Sequence, residues 1–120
     1  MTYIQIAVYA VPTTNKDAFI EHARLMAPVF KKHGAIKAVD CWGADVPEGE
    51  LTSLPMAVKA EAHETVCFSY MTFESKEAAE ACTSAAMEDF QQMAKDQPGA
   101  EMPFDGRRMI FGGFETVVDL

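Results

Sequence analysis

The stretch "ETVCFSYMTF", residues 64–73, constrains the fold more than any other, because it is dense in β-branched and aromatic residues and apolar on both alternating parities. Residues i and i+2 of a strand share a face, so Val66, Phe68 and Tyr70 line one side while Cys67, Met71 and Phe73 line the other. Such a strand must be covered twice. The chain has 120 residues with which to do it, a length that fits one domain and not two.

"YIQIAVYAV", residues 3–11, has the same two-sided character and is closed by Pro12. "TTNKDAFIEHARLMAPVFKKHG" follows, opening with Thr14 three residues before Asp17 in the manner of a capping box and closing with Lys31, Lys32, His33 and Gly34. Phe19, Ala23, Met26 and Phe30 recur there at helical spacing and form one apolar stripe. Pro28 predicts a kink or an early break in that helix, since it removes a hydrogen bond and clashes with the preceding turn.

"AIKAVDCWGADV", residues 35–46, reads as a second strand, and residues 47–63, with Pro47, Gly49 and Pro55, as a long irregular connection. Ser75 suits the N-cap of a second helix over about residues 76–95, striped by Ala79, Cys82, Ala86, Phe90 and Met93. After a loop with Pro98, Gly99 and Pro103 comes a fourth strand from about Arg107 to Val118, with Met109 and Phe111 opposite Ile110 and Phe114. Strand, helix, strand, strand, helix, strand is the ferredoxin-like βαββαβ order of an α+β domain spanning residues 1–120. Two helices cover one face of a four-stranded sheet. The other face is apolar as well, which predicts a homodimer with the sheets packed face to face.

Charge narrows the partners. Eighteen acidic against 10 basic residues give a net charge of −8, a field that repels phosphate backbones and anionic lipid, so neither nucleic acid nor membrane is expected as a partner. Cys41, Cys67 and Cys82 form no CxxC pair, which points away from a disulfide framework or structural zinc and toward the cytoplasm. "MTYIQIAVYAVP" is apolar for about ten residues without a basic leader, and reads as a strand and not as a targeting segment.

"MPFDGRRMIFGGF" at 102–114, "GAIKAVDCWGADVPEGELTSLPMAVKA" at 34–60 and "ETVCFSYMTFES" at 64–75 together resemble the YbaA-like family of small bacterial proteins of unknown function. The resemblance runs over nearly the whole chain. It implies a dimeric α+β barrel, in agreement with the strand order, and no reaction.

Candidate pocket residues come from two places. Asp40, Cys41, Trp42 and Asp45 cluster on and after the second strand, where an aromatic beside carboxylates makes a plausible pocket wall and a partly buried Asp40 could act as a base, the alternative being an acid simply exposed at a strand end. In "DGRR", Asp105 and Gly106 form a turn into the fourth strand, and adjacent arginines on a strand point to opposite faces. One of Arg107 and Arg108 could then bind a carboxylate ligand bidentately, the alternative being an ion pair with Asp105, Asp40 or a partner chain. Lys59 in "MAVKA" could anchor an anionic group or lie along the surface with its head in water.

Gly112 and Gly113 inside a strand mark either a close approach of a ligand or room for a bulky neighbour. "GGF" is no dinucleotide fingerprint, and no cofactor is expected. His22 and His33 are eleven residues apart, roughly 16 Å along a helix, and cannot share an ion; with His63 in a separate loop, no metal is expected. Two functions fit these readings: a homodimer binding a small organic molecule between sheet and helices or beneath the 47–63 loop, or a non-enzymatic structural or stress-associated interaction module. What "DGRR" touches, a cavity or the twofold partner, separates them.

Overall fold

The computed structural model describes residues 2–96 and 102–120. The elements are β1 (Tyr3–Pro12), α1 (Lys16–Lys32), β2 (Lys37–Trp42), a one-turn α2 (Leu54–Ala57), β3 (Glu64–Phe73), α3 (Lys76–Asp96) and β4 (Ile110–Glu115). The sheet runs β2-β3-β1-β4 with all neighbours antiparallel. The two-sided strands β1 and β3 take the central positions, as their double covering requires.

Four boundaries differ from the sequence reading. A 3-10 turn at Thr13–Asn15 replaces the capping box, and α1 starts at Lys16 with no side-chain cap. The helix passes through Pro28 as one element to Lys32, because the stripe flanking the proline is anchored on both sides, by Phe19 and by Phe30. β2 spans 37–42, not 35–46: Ala35 is buried among α3 residues and Phe73, and Gly43 crosses so close to β3 that a Cβ there would lie 2.2 Å from the Val66 carbonyl oxygen. β4 spans 110–115, not 107–118, because Gly106–Arg108 coil into a 3-10 turn that Asp105 caps by accepting the Arg107 N–H at 3.0 Å. The expected loop at Pro98 and Gly99 lies outside the described residues. Ser75 does cap α3, accepting the Ala78 N–H at 3.0 Å.

Register assigns the faces. On the helix side stand Tyr3, Gln5, Ala7, Tyr9 and Val11 of β1, Cys67, Ser69, Met71 and Phe73 of β3, and Ala38, Asp40 and Trp42 of β2. α1 and α3 meet there through the Phe30 and Phe90 rings, edge to face at 5.2 Å. The 47–63 connection is not a free loop: α2 is capped by Ser53, which accepts the Met56 N–H, and Val46, Val58 and Ala60 pack on Val8, Ala10 and Val66 at one end of the opposite face. The remainder of that face is open, with Ile110 41% and Phe114 54% exposed. Gly113 makes room for a neighbour: a Cβ there would fall 1.6 Å from the Tyr3 hydroxyl.

Candidate functional site

Two polar groupings stand out, and they divide the residues singled out from the sequence. The first is on the helix-covered face, whose apolar side chains form two separate clusters. One holds Tyr9, Val11, Phe19 and Cys67 with Trp42, Phe104 and Met109 around them; the other holds Ala35, Phe73, Ala79 and Cys82 with Tyr3, Phe30 and Met71. Between them runs a row across the strands, Asp40 opposite Ser69 and Ser69 opposite Ala7. The Ser69 hydroxyl donates to Asp40 Oδ1 at 2.6 Å, so the Tyr9 phenol, 2.5 Å from Ser69 Oγ, is the donor of the next bond inward.

This seam is graded from wet to dry. Asp40 is exposed at the edge strand, Ser69 is half-buried, and Tyr9 is 3% exposed. Its ring stacks on Phe104 at 4.6 Å, and Phe19 bridges it to Trp42, over which the Lys16 ammonium sits at 5.5 Å. Burial pushes the Tyr9 phenol well above the usual phenol range, with the Asp40 charge adding to the effect. Burial likewise raises the Cys67 thiol to about 11, so it is not a ready nucleophile. Gln5 stands on the same face, and its Oε1 is buried with no hydrogen-bond partner among the described residues.

The second grouping is ionic and closed. Arg108 grips Glu64 bidentately, Nη1 to Oε1 at 2.7 Å and Nη2 to Oε2 at 2.6 Å, while its Nε donates to Asp105 at 3.2 Å and Nη1 also donates to the Lys59 carbonyl at 2.8 Å. Arg107 turns to the same Asp105, Nε to Oδ1 at 3.1 Å. The expectation that the arginines point to opposite faces of a strand is thus corrected: they lie in a 3-10 turn, where successive side chains can converge on one carboxylate. The hydrogen bonds from Arg108 hold the Glu64 carboxyl below its ordinary range against the upward push of burial. Those from Arg107, side chain before backbone, with Arg108 adding to them, hold Asp105 down to about 2.

Lys59 enters this clip through its backbone. It takes a left-handed φ of 52°, which turns its carbonyl toward Arg108. "DGRR" therefore closes on the start of β3 in its own chain, through Glu64. A shallow groove of about 400 Å³ lies beside it under the 47–63 connection, lined by Gly43, Val46, Pro55, Ala60 and Glu64 among others. His63 is less isolated than its sequence position suggests: its ligand atoms and those of Glu61 and Glu64 lie within 4.8 Å of one another. Both Glu64 oxygens are already engaged by Arg108.

Sequence reasoning reached Asp40 and Trp42 but missed Gln5, Tyr9, Ser69 and Glu64. A signal existed for two of these: Gln5 and Ser69 are polar residues at positions of one parity in otherwise apolar strands.

The βαββαβ order, the β2-β3-β1-β4 sheet and the helices on one face define a ferredoxin-like α+β protein. Solved structures share this architecture. One, called "Putative antibiotic biosynthesis monooxygenase", from Nitrosomonas europaea, superposes with a TM-score of 0.57 at 15% identity, covering 97% of this chain and 90% of that one. Another, Rv0793 from Mycobacterium tuberculosis, does so with a TM-score of 0.50 at 11% identity, covering 99% and 98%. At such identities the likeness is one of fold alone. By sequence the chain belongs to DUF1428, a family of proteins of unknown function, whose profile matches residues 2–106. It is 46% identical over 119 residues to the uncharacterized protein YbaA of Escherichia coli K12, with 99% of both chains covered, and equally to YbaA of Shigella flexneri. No helix among the described residues is long and apolar enough to cross a membrane.

Proposed function

We propose that this protein is a homodimer that binds a small organic molecule in the seam between the sheet and α1 and α3. One observation carries the reading: Ser69 and Asp40 stand between two apolar clusters, and Tyr9, from one of those clusters and a third strand, is hydrogen-bonded to them in a row. Their mutual hydrogen bonds offset the cost of setting polar groups into an apolar layer, and what those bonds leave unused can meet a ligand. The row has spare valences, the second Asp40 oxygen and a Tyr9 lone pair, and it opens to solvent at the edge strand. Asp40 and Trp42 belong to this pocket. Asp105, Arg107, Arg108 and the Lys59 carbonyl hold the turn before β4 on the start of β3.

The dimer rests on the open half of the other face, where Ile4, Ile6, Tyr70, Ile110 and Phe114 form an apolar surface that the α2 segment leaves uncovered. Native mass spectrometry of the freshly purified protein tests both parts. A dimer carrying a small molecule in stoichiometric amount, lost in Asp40→Asn and Ser69→Ala while the dimer persists, is the expected result. A ligand retained in both variants would move the site elsewhere, and a monomer would remove the reading of the open face.

A further inference from the structure

The buried acceptor on β1 indicates what kind of molecule the seam takes. We propose that Gln5 Oε1 is the specificity-determining anchor of the pocket and that it selects an uncharged ring compound bearing one O–H or N–H donor; the inference rests on reading the seam as a binding site.

Gln5 is placed for this. It stands opposite Met71 on one side and Gly113 on the other, next to Ala7, which faces Ser69. Tyr3, two residues back on the same face, leans across the glycine and walls the site toward β4. Aromatic rings stand at both ends, Tyr9 with Phe104 at one and Phe30 with Phe73 at the other, surfaces that suit a flat apolar body. Ala7, at the centre of the row, and Ser69 beside it are only half-buried although they stand on the helix-covered face.

The chemistry follows from the pairing. A carboxamide oxygen accepts and does not donate, and Gln5 Oε1 is buried without a partner among the described residues. Such an atom destabilises the protein until a donor meets it. The donor has to be uncharged. An anion would face the Asp40 carboxylate at the outer end of the seam, and a cation would be held at that exposed carboxylate, at the mouth, and not at Gln5. Gln5 therefore discriminates as sites built around a hydrogen bond do, by leaving its own acceptor unmet when the wrong molecule enters.

The experiment uses phenol and fluorobenzene, similar in size and differing in the donor, with Kd values from amide chemical-shift titrations of the full-length protein and of Gln5→Leu. Wild type is expected to bind phenol about 10-fold more tightly than fluorobenzene, and Gln5→Leu to bind the two equally. The ligand-free Gln5→Leu protein is expected to melt about 4 °C above wild type, because the substitution removes an unmet acceptor. Equal binding of both probes by wild type, or a Tm below wild type in Gln5→Leu, overturns the role given to Gln5 and leaves the pocket standing. Failure of both probes to shift any resonance of the seam at millimolar concentration overturns the pocket itself.

Discussion

The clip around Arg108 and the seam around Ser69 are both polar groupings on the same sheet, yet they are built on opposite terms. The clip is charged and saturated: every oxygen of Glu64 and Asp105 accepts from an arginine, and the Arg108 guanidinium also reaches the Lys59 carbonyl. The seam is mostly uncharged and incomplete, a phenol and a hydroxyl leading to one exposed carboxylate, with an amide oxygen on the same face that meets no partner among the described residues. Saturation suits a fixed joint, since each spare valence has been used to hold two segments together. Incompleteness suits binding, because the missing partner can come from outside.

The sharpest way to break this contrast is to dismantle the clip. Arg108→Met leaves the Glu64 carboxylate, whose side chain is 3% exposed, without its partner, and removing one member of a buried pair costs far more than removing both. The expected Tm drop is roughly 5–10 °C, largely restored by adding Glu64→Met, while the ligand-binding properties of the folded variant stay at the wild-type level. Calorimetry with a parallel binding titration measures both. A variant that melts normally and no longer binds would make the arginine a ligand group and the clip a site.

The two regions also explain what could be read from the sequence. β3 was legible to the residue, because ten residues apolar on both parities have few places to go other than the centre of a sheet. The ends of β2 were not. Ala35 is taken from the strand by α3, and Gly43 is set by an approach to the Val66 carbonyl, both facts of tertiary packing. The arginine doublet drew attention as charge does, but its partner Glu64 is 44 residues away and nothing local pairs them. Asp40 and Trp42 were readable as neighbours on one strand. Gln5 and Ser69 sit on the helix-facing parity, and when both parities are apolar the sequence does not say which one the helices will choose.

A second prediction sharpens the contrast by pH. Asp105 falls from its ordinary 3.8 to about 2 and Glu64 from its ordinary 4.5 in the fold, so the clip's contribution is fully present above those ordinary values and is lost as pH drops through about 4 toward 2. Cys67 and Tyr9 move the other way. The thiol rises from 9.0 to about 11 and the phenol rises from 10.0, so their contribution is intact below pH 9 and is lost as pH climbs beyond it. Thermal melts from pH 2 to 11 are expected to show Arg108→Met/Glu64→Met making the acid limb shallower, with Arg107 still holding Asp105 down, and leaving the alkaline limb unchanged. Cys67→Ala is expected to make the alkaline limb shallower, with the Tyr9 share remaining, and to leave the acid limb unchanged, on top of a lower Tm at every pH from its small cavity. A single variant that flattens both limbs would mean that the two groupings are one coupled network.

The smallest effect is the most diagnostic. Tyr9→Phe removes the inner end of the seam while keeping the ring stacked on Phe104, and Ser69 still donates to Asp40, so only one net hydrogen bond is lost. That predicts a Tm decrease of about 2–4 °C, below that of Arg108→Met. If the phenol serves binding, its loss weakens phenol about 10-fold, because a donor entering the seam meets one acceptor fewer. If it serves only packing, the small Tm change comes with unaltered affinity. The ratio of the two effects, and not the size of either, separates a residue that holds the fold from one that the fold holds ready.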